Sequence, residues 1–189
     1  MNIFYLHPDP VKAAEYHYNR HVVKMPLEAA QMLCTAHHVI GEDYEYDTSY
    51  VPYKKAHVNH PSTIWVRSGL DNYNWTYQYM MALGDEYTNR YGKTHLTIEK
   101  CRDVLYTPPL YIDNTPFTQP PQCMPDEYKV EGHSSKAYWN YYINDKKRIV
   151  LSNEQPHHKH LVSVNFRGIR DKIKQAQKSN KRYAKKRIK

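Results

Sequence analysis

The 189-residue chain predicts a mainly α protein: a compact helical single domain with a proline-rich extended strap and a basic C-terminal tail. Three observations carry that prediction. Apolar residues recur every three or four positions over residues 11–38 and 61–91, which is the period of a helix and not the alternation of a strand. Six of the 12 prolines crowd between Thr107 and Lys129, where no helix can run. From Arg167 to Lys189, 11 Lys or Arg face the single acid Asp171, so a formal net charge of +8 leaves residues 1–166 at −2.

The first apolar run, Asn2 to Leu6, stops at His7-Pro8-Asp9-Pro10, whose prolines exclude a regular element and make the N-terminus an ordered extended arm. Asp9 is placed to cap the helix that follows, with Pro10 at its first position, and helical periodicity runs from Val11 to His38. Pro26 lies inside that span and removes one backbone hydrogen bond, which predicts a kink or a split near Lys24 and Met25. Gly41 to Tyr53 is acidic, tyrosine-rich and aperiodic, and reads as a loop. Pro61, with Ser62 and Thr63 behind it, opens a second helical stretch carrying Trp65, Val66, Leu70, Tyr73, Tyr77, Met80, Met81 and Leu83 on its apolar face. Gly69 is a breakpoint within it, and Gly92 is a stop after Tyr91. His95 to Leu105 fits a third helix. Thr107 to Lys129 must wrap the domain as an extended strap. Ser134 or Ser135 is placed to cap a last helix through Ala137, Tyr138, Trp139, Tyr141 and Tyr142, and Ile149–Leu151 and His160–Phe166 are short strand-like runs. The expected division is a helical domain at 1–148, a strand-like extension at 149–166 and the basic tail at 167–189.

Composition narrows the function. With 19 Tyr against 3 Phe, much of the buried ring surface carries hydroxyls that need partners. The tail, including Lys181, Arg182, Lys185, Lys186 and Arg187, is a polyanion-binding block whose affinity for DNA, or equally RNA, should fall steeply with salt; a solubilising tail is the plainer reading. Three cysteines without zinc or redox spacing point to a reducing compartment, and no run approaches the roughly 18 apolar residues of a membrane span, so a cytoplasmic location is expected. Glycine-rich phosphate loops, nucleophile elbows and HExxH are absent, so no cofactor is expected.

The candidate chemistry lies on the first helix. Arg20, His21, Lys24, Glu28 and Gln31 stand three, four and seven residues apart and share one face. Glu28 is the central candidate: neighbouring cations at Lys24 and Arg20 suit a carboxylate that stabilises a positively charged intermediate, whereas burial suits a general acid. Both roles stay open, as does the plainer reading of a solvated stripe. His21, two turns before Glu28, is expected in the same cleft. Lys54, Lys55, His57, Asn59, His60 and Arg67 form a second cluster suited to phosphate contacts. His57 and His60 lack nearby third and fourth ligands, and His157, His158 and His160 sit in an apparent loop, so no metal site is assigned. Trp65, Trp75, Tyr44, Tyr46, Tyr50 and Tyr53 are either stacking surfaces for an unpaired base or, for the tryptophans, ordinary core.

This layout resembles the phage pyrimidine-dimer DNA glycosylases of the endonuclease V type. In that family a short N-terminal arm leads into a helix carrying a His and, seven residues later, the catalytic Glu, the spacing of His21 and Glu28. The stretch from Arg20 to Glu28 is similar in its mixture of basic, apolar and acidic residues, although its proline falls on the other side of the Glu. Tyr138-Trp139-Asn140-Tyr141-Tyr142 is similar to the family's aromatic cluster, and the likeness covers about the first 145 residues. His21 to Gln31 and His57 to Arg67 also resemble uncharacterised phage proteins.

The resemblance implies a DNA repair glycosylase and lyase, located in the host cytoplasm if phage-encoded. An N-terminal amine attacks the sugar C1′, a Schiff base forms, and the strand breaks by β-elimination, with Glu28 stabilising the cationic sugar. The chain departs from the family where a small residue is exposed by methionine removal: Asn2 stands there, which leaves the amine open between Met1 and Asn2. Two rival readings stand beside this one. They are a non-catalytic nucleic-acid-binding or host-interaction protein, carried by the tail, and a nucleotide-modifying enzyme built on His21, Lys24, Glu28, His57 and His60.

Overall fold

The computed structural model describes residues 1–146, and the strand-like runs and basic tail expected beyond them lie outside that range. Among the described residues there are six α-helices, no strand and one 3₁₀ turn at Asp126–Tyr128. The helices are α1 (Pro10–Glu15), α2 (Asn19–Asp43), α3 (Pro61–Arg67), α4 (Leu70–Tyr91), α5 (Leu96–Leu105) and α6 (Ser134–Asn144). Asp9 caps α1 through Val11 N–H at 2.9 Å with Pro10 at the first position, and Gly92, at φ 68°, closes α4.

The first helical stretch breaks at Tyr16–Tyr18, well before the site expected near Lys24 and Met25. The His17 ring takes the Ala13 carbonyl through Nδ1 at 2.7 Å, so the His17 backbone N–H falls back to Ala14 O at 3.0 Å. Arg90 of α4 fixes the corner by donating to the carbonyls of His17 at 2.7 Å and Glu15 at 3.1 Å. Pro26 stays within α2 and is buried there. His95 donates from Nε2 to the adjacent Val23 carbonyl at 3.0 Å, and packing against α4 outweighs the lost hydrogen bond. The helix then runs to Asp43, beyond His38 and through Gly41, a position predicted as loop. A Cβ on Gly41 would lie 2.3 Å from Thr48 Cγ2, so the glycine lets the following loop fold back onto the helix.

Gly69 separates α3 from α4 and makes room for the strap, because a Cβ there would lie 1.9 Å from Thr115 Oγ1. The strap carbonyls of Asp113 and Thr115 accept the first N–H groups of α4. Asn72 completes the join: its Oδ1 accepts Thr118 N–H at 2.9 Å and its Nδ2 donates to Trp65 O at 3.2 Å. Asn72→Ala should therefore cost about 2–3 kcal/mol, measured as a lower urea midpoint, because it leaves buried polar groups unpaired. At α6, neither serine caps. His133 holds the cap position without a side-chain bond, and Ser134, the first helical residue, gives its N–H to Gln119 Oε1 at 2.8 Å.

The arm from Ile3 to Leu6 is buried in the core. Trp139 Nε1 donates to Leu6 O at 2.8 Å, Trp75 Nε1 to Pro8 O at 2.6 Å, and Tyr79 OH to Ile3 O. Tyr73, Tyr79, Tyr138 and Tyr142 are fully buried, and each hydroxyl has a partner, as a tyrosine-rich interior requires.

Candidate active site

Glu28, on the buried flank of α2 and 8% exposed, is where arm and helix meet. Its Oε2 accepts the backbone N–H of Asn2 at 2.9 Å and its Oε1 pairs with Lys24 Nζ at 2.8 Å. The pairing follows from the i, i+4 spacing, and the largely solvated Lys24 is free to reach an anion as well. Arg20, two turns away, is exposed and makes no ion pair among the described residues, so Lys24 alone of the two cations touches Glu28. Gln31 is half-buried one turn further on.

His21 turns inward from the stripe. Its ring stacks on Phe4, with centroids 4.5 Å apart and planes 18° apart, and its Nδ1 lies 2.6 Å from Tyr142 OH. Burial first, and then the charges of Lys146 and Lys24, lower its pKa to about 4 against an opposing pull from Glu28. It is neutral at pH 7 and braces the arm from behind.

Asn2 is a joint between three segments. Its Nδ2 donates to Cys123 O of the strap at 2.9 Å, and its Oδ1 accepts Ile3 N–H at 2.8 Å and Phe4 N–H at 3.3 Å. Phe4 is held at φ 50°, a left-handed backbone that the surrounding packing must enforce. Half-buried Met1 accepts Thr63 Oγ1–H through Sδ at 3.3 Å, and Ser62 Oγ lies 3.3 Å from Cys123 Sγ. The start of α3 thus closes over the first two residues.

The second cluster divides. His57 and Asn59 are exposed and His60 is half-buried beside the arm, with Lys54 exposed further along the loop. Lys55 pairs with Glu42, and Arg67 turns back to donate to Val58 O at 2.8 Å, so both have partners within the protein instead of forming an open phosphate site. Trp65 and Trp75 are core, whereas Tyr44 is exposed and stacked on Tyr111 with centroids 4.4 Å apart. Lys181, Arg182, Lys185, Lys186 and Arg187 lie outside the described residues. Among the described residues no group of three His, Cys, Asp or Glu side chains could hold a metal ion, and no helix is long and apolar enough to cross a membrane. Cys123, Ser62, Thr63 and Phe4 were not legible as site residues, since only the strap and arm tertiary contacts bring them to the Met1–Asn2 corner.

Among the described residues the fold is all-helical, and its buried N-terminal arm brings a main-chain N–H to a lysine-paired carboxylate, which defines a small helical protein with its N-terminal arm docked on a buried glutamate. The family model of the pyrimidine dimer DNA glycosylases matches residues 1–99, from the arm into α5, and the chain belongs to that family. Membership makes it a DNA-acting protein of the glycosylase type. No curated protein and no solved structure matches the chain significantly.

Proposed function

We infer that the protein releases a damaged pyrimidine from DNA and that the nitrogen of residue 2, freed by removal of Met1, is its nucleophile. The 2.9 Å hydrogen bond from the Asn2 peptide N–H to Glu28 Oε2 supports this reading, because the same nitrogen would become an amine beside the carboxylate once Met1 is removed, and catalytic groups must converge on one sugar carbon. In the reaction the amine forms a bond to C1′ as the C1′–N1 bond breaks and the electron pair leaves with the base. Glu28 takes the amine proton and stabilises the cationic sugar. Opening of the sugar ring gives the imine, loss of a C2′ proton expels the 3′-phosphate, and hydrolysis of the imine returns the amine. Lys24, Arg20, His57, Asn59 and Lys54 would follow the phosphate backbone, and the cationic tail would add salt-sensitive affinity.

Borohydride reduction of the protein with an ultraviolet-irradiated duplex should trap a covalent adduct, and mass analysis should place it on Asn2. An adduct on Met1 moves the nucleophile by one residue. Glycosidic cleavage without any adduct makes the reaction hydrolytic, and wild-type protein that breaks no C1′–N1 bond in irradiated DNA sinks the reading.

A further inference from the structure

The turn into α3 is tightly held and contains an imidazole whose tautomer is fixed by its neighbours. His57 adopts φ 49°, its carbonyl accepts His60 N–H at 2.9 Å, and Arg67 clamps the intervening Val58 carbonyl at 2.8 Å. Ser62 N–H then donates to Nδ1 of His60 at 3.2 Å. An amide N–H donates only to a bare lone pair, so Nδ1 carries no proton and the neutral ring keeps its one proton on Nε2. A second proton would have to enter at Nδ1 and would remove the helix cap. Burial lowers the His60 pKa, as do the Met1 amino group and His57, against a smaller upward pull from Glu28.

The residues just after His60 place it. Thr63 touches Met1, and Ser62 touches Cys123, whose carbonyl holds the Asn2 side chain. The half-buried ring therefore stands near the Met1, Asn2 and Glu28 corner, close enough for the Met1 amino group and Glu28 to act on its charge, and is partly exposed. We propose that His60 is a further catalytic residue, its Nε2–H the hydrogen-bond donor to the O2 carbonyl of the departing pyrimidine; this rests on the glycosylase reading above. When C1′–N1 breaks, the electron pair left on N1 delocalises onto O2, the carbonyl next to the broken bond. A fixed neutral N–H there binds more strongly as charge builds, without transferring a proton, and the base is protonated later by solvent. The phosphate contact expected of His60 from the sequence would instead act equally on every DNA, with or without a base to lose.

His60→Asn separates the two roles, because Asn is among the best helix caps and preserves the acceptor for Ser62 N–H while removing the Nε2 donor. The variant should keep the wild-type thermal midpoint and release the damaged base about 100-fold more slowly or worse. A duplex of the same sequence with a ready-made abasic site should be bound as tightly and processed as fast as by wild type. Equal losses on both duplexes, a loss of affinity alone, or unchanged base release would each overturn the proposal. A long-range ¹⁵N–¹H spectrum of the wild type at pH 7 should show Nε2 protonated and Nδ1 bare, and the reverse tautomer overturns the proposal independently of activity. Wild-type protein that cleaves no C1′–N1 bond removes the underlying glycosylase reading instead, a result that no His60 variant can produce.

Discussion

Glu28→Gln is expected to slow base release and strand cleavage by about 10³-fold or more while the protein folds and binds lesion DNA as before. The carboxylate makes two contacts, to Asn2 N at 2.9 Å and Lys24 Nζ at 2.8 Å, and a glutamine of the same shape preserves the first through its oxygen. The second is an ion pair to a lysine that is 69% exposed, and such pairs contribute little to stability, so the thermal midpoint should barely move. The lost negative charge is another matter. A sugar that becomes cationic at C1′ needs a fixed anion beside it in a site sheltered from water, and an amine bound for attack needs somewhere to deliver its proton. DNA affinity should stay level or rise slightly, since a negative charge has been removed from a surface that meets phosphates. Single-turnover excision and equilibrium binding, measured on the same irradiated duplex, decide the matter. A variant that excises at wild-type speed would remove Glu28 from the chemistry and return the stripe on α2 to a surface role.

Helix boundaries set by local stereochemistry were legible in the sequence. Asp9-Pro10, His60-Pro61, Gly69 and Gly92 each act within one turn of themselves, and each marks an element's end in the structure. The break at Tyr16–Tyr18 was not legible, because it depends on the His17 ring taking a carbonyl and on Arg90, more than seventy residues later, holding the free ends. Pro26 misled for the complementary reason: its local cost is real, but packing of α2 against α4 exceeds it. The site shows the same division. Lys24 and Glu28 meet because i, i+4 spacing on a helix requires it, and that much can be read from residue numbers. His21 obeys the same spacing yet turns inward, since Phe4 offers a ring to stack on and Tyr142 a hydroxyl to bond, both from segments distant in sequence. The most informative contact, Asn2 to Glu28, joins residues 26 apart through an arm with no periodicity of its own.

The same inward-facing histidines should make the fold acid-sensitive well above the carboxylate range. His21 and His37 each have a pKa lowered to about 4, chiefly by burial, and fully buried His17 is shifted in the same direction by burial and by His21. In the unfolded chain each ring titrates near 6.5. As pH falls below that value the unfolded state binds protons that the native state refuses, so stability is fully present above about pH 6.5 and drains away towards pH 4. Each unit of displacement is worth about 1.4 kcal/mol, so His21 and His37 each contribute a loss of about 3 kcal/mol, comparable to a good part of a domain's whole stability. Urea midpoints should therefore fall steeply between pH 7 and pH 4.5. His37→Gln provides the internal check. His37 lies two and a half turns of α2 beyond Glu28 and bonds Tyr73 OH through Nε2 at 2.8 Å, a contact that a glutamine amide can reproduce without titrating. That variant should show a shallower pH slope with its excision rate at neutral pH unchanged. Midpoints that stay level down to pH 4.5 would mean that these rings ionise as readily inside the fold as outside it, and the neutral brace assigned to His21 behind the arm would fall with them.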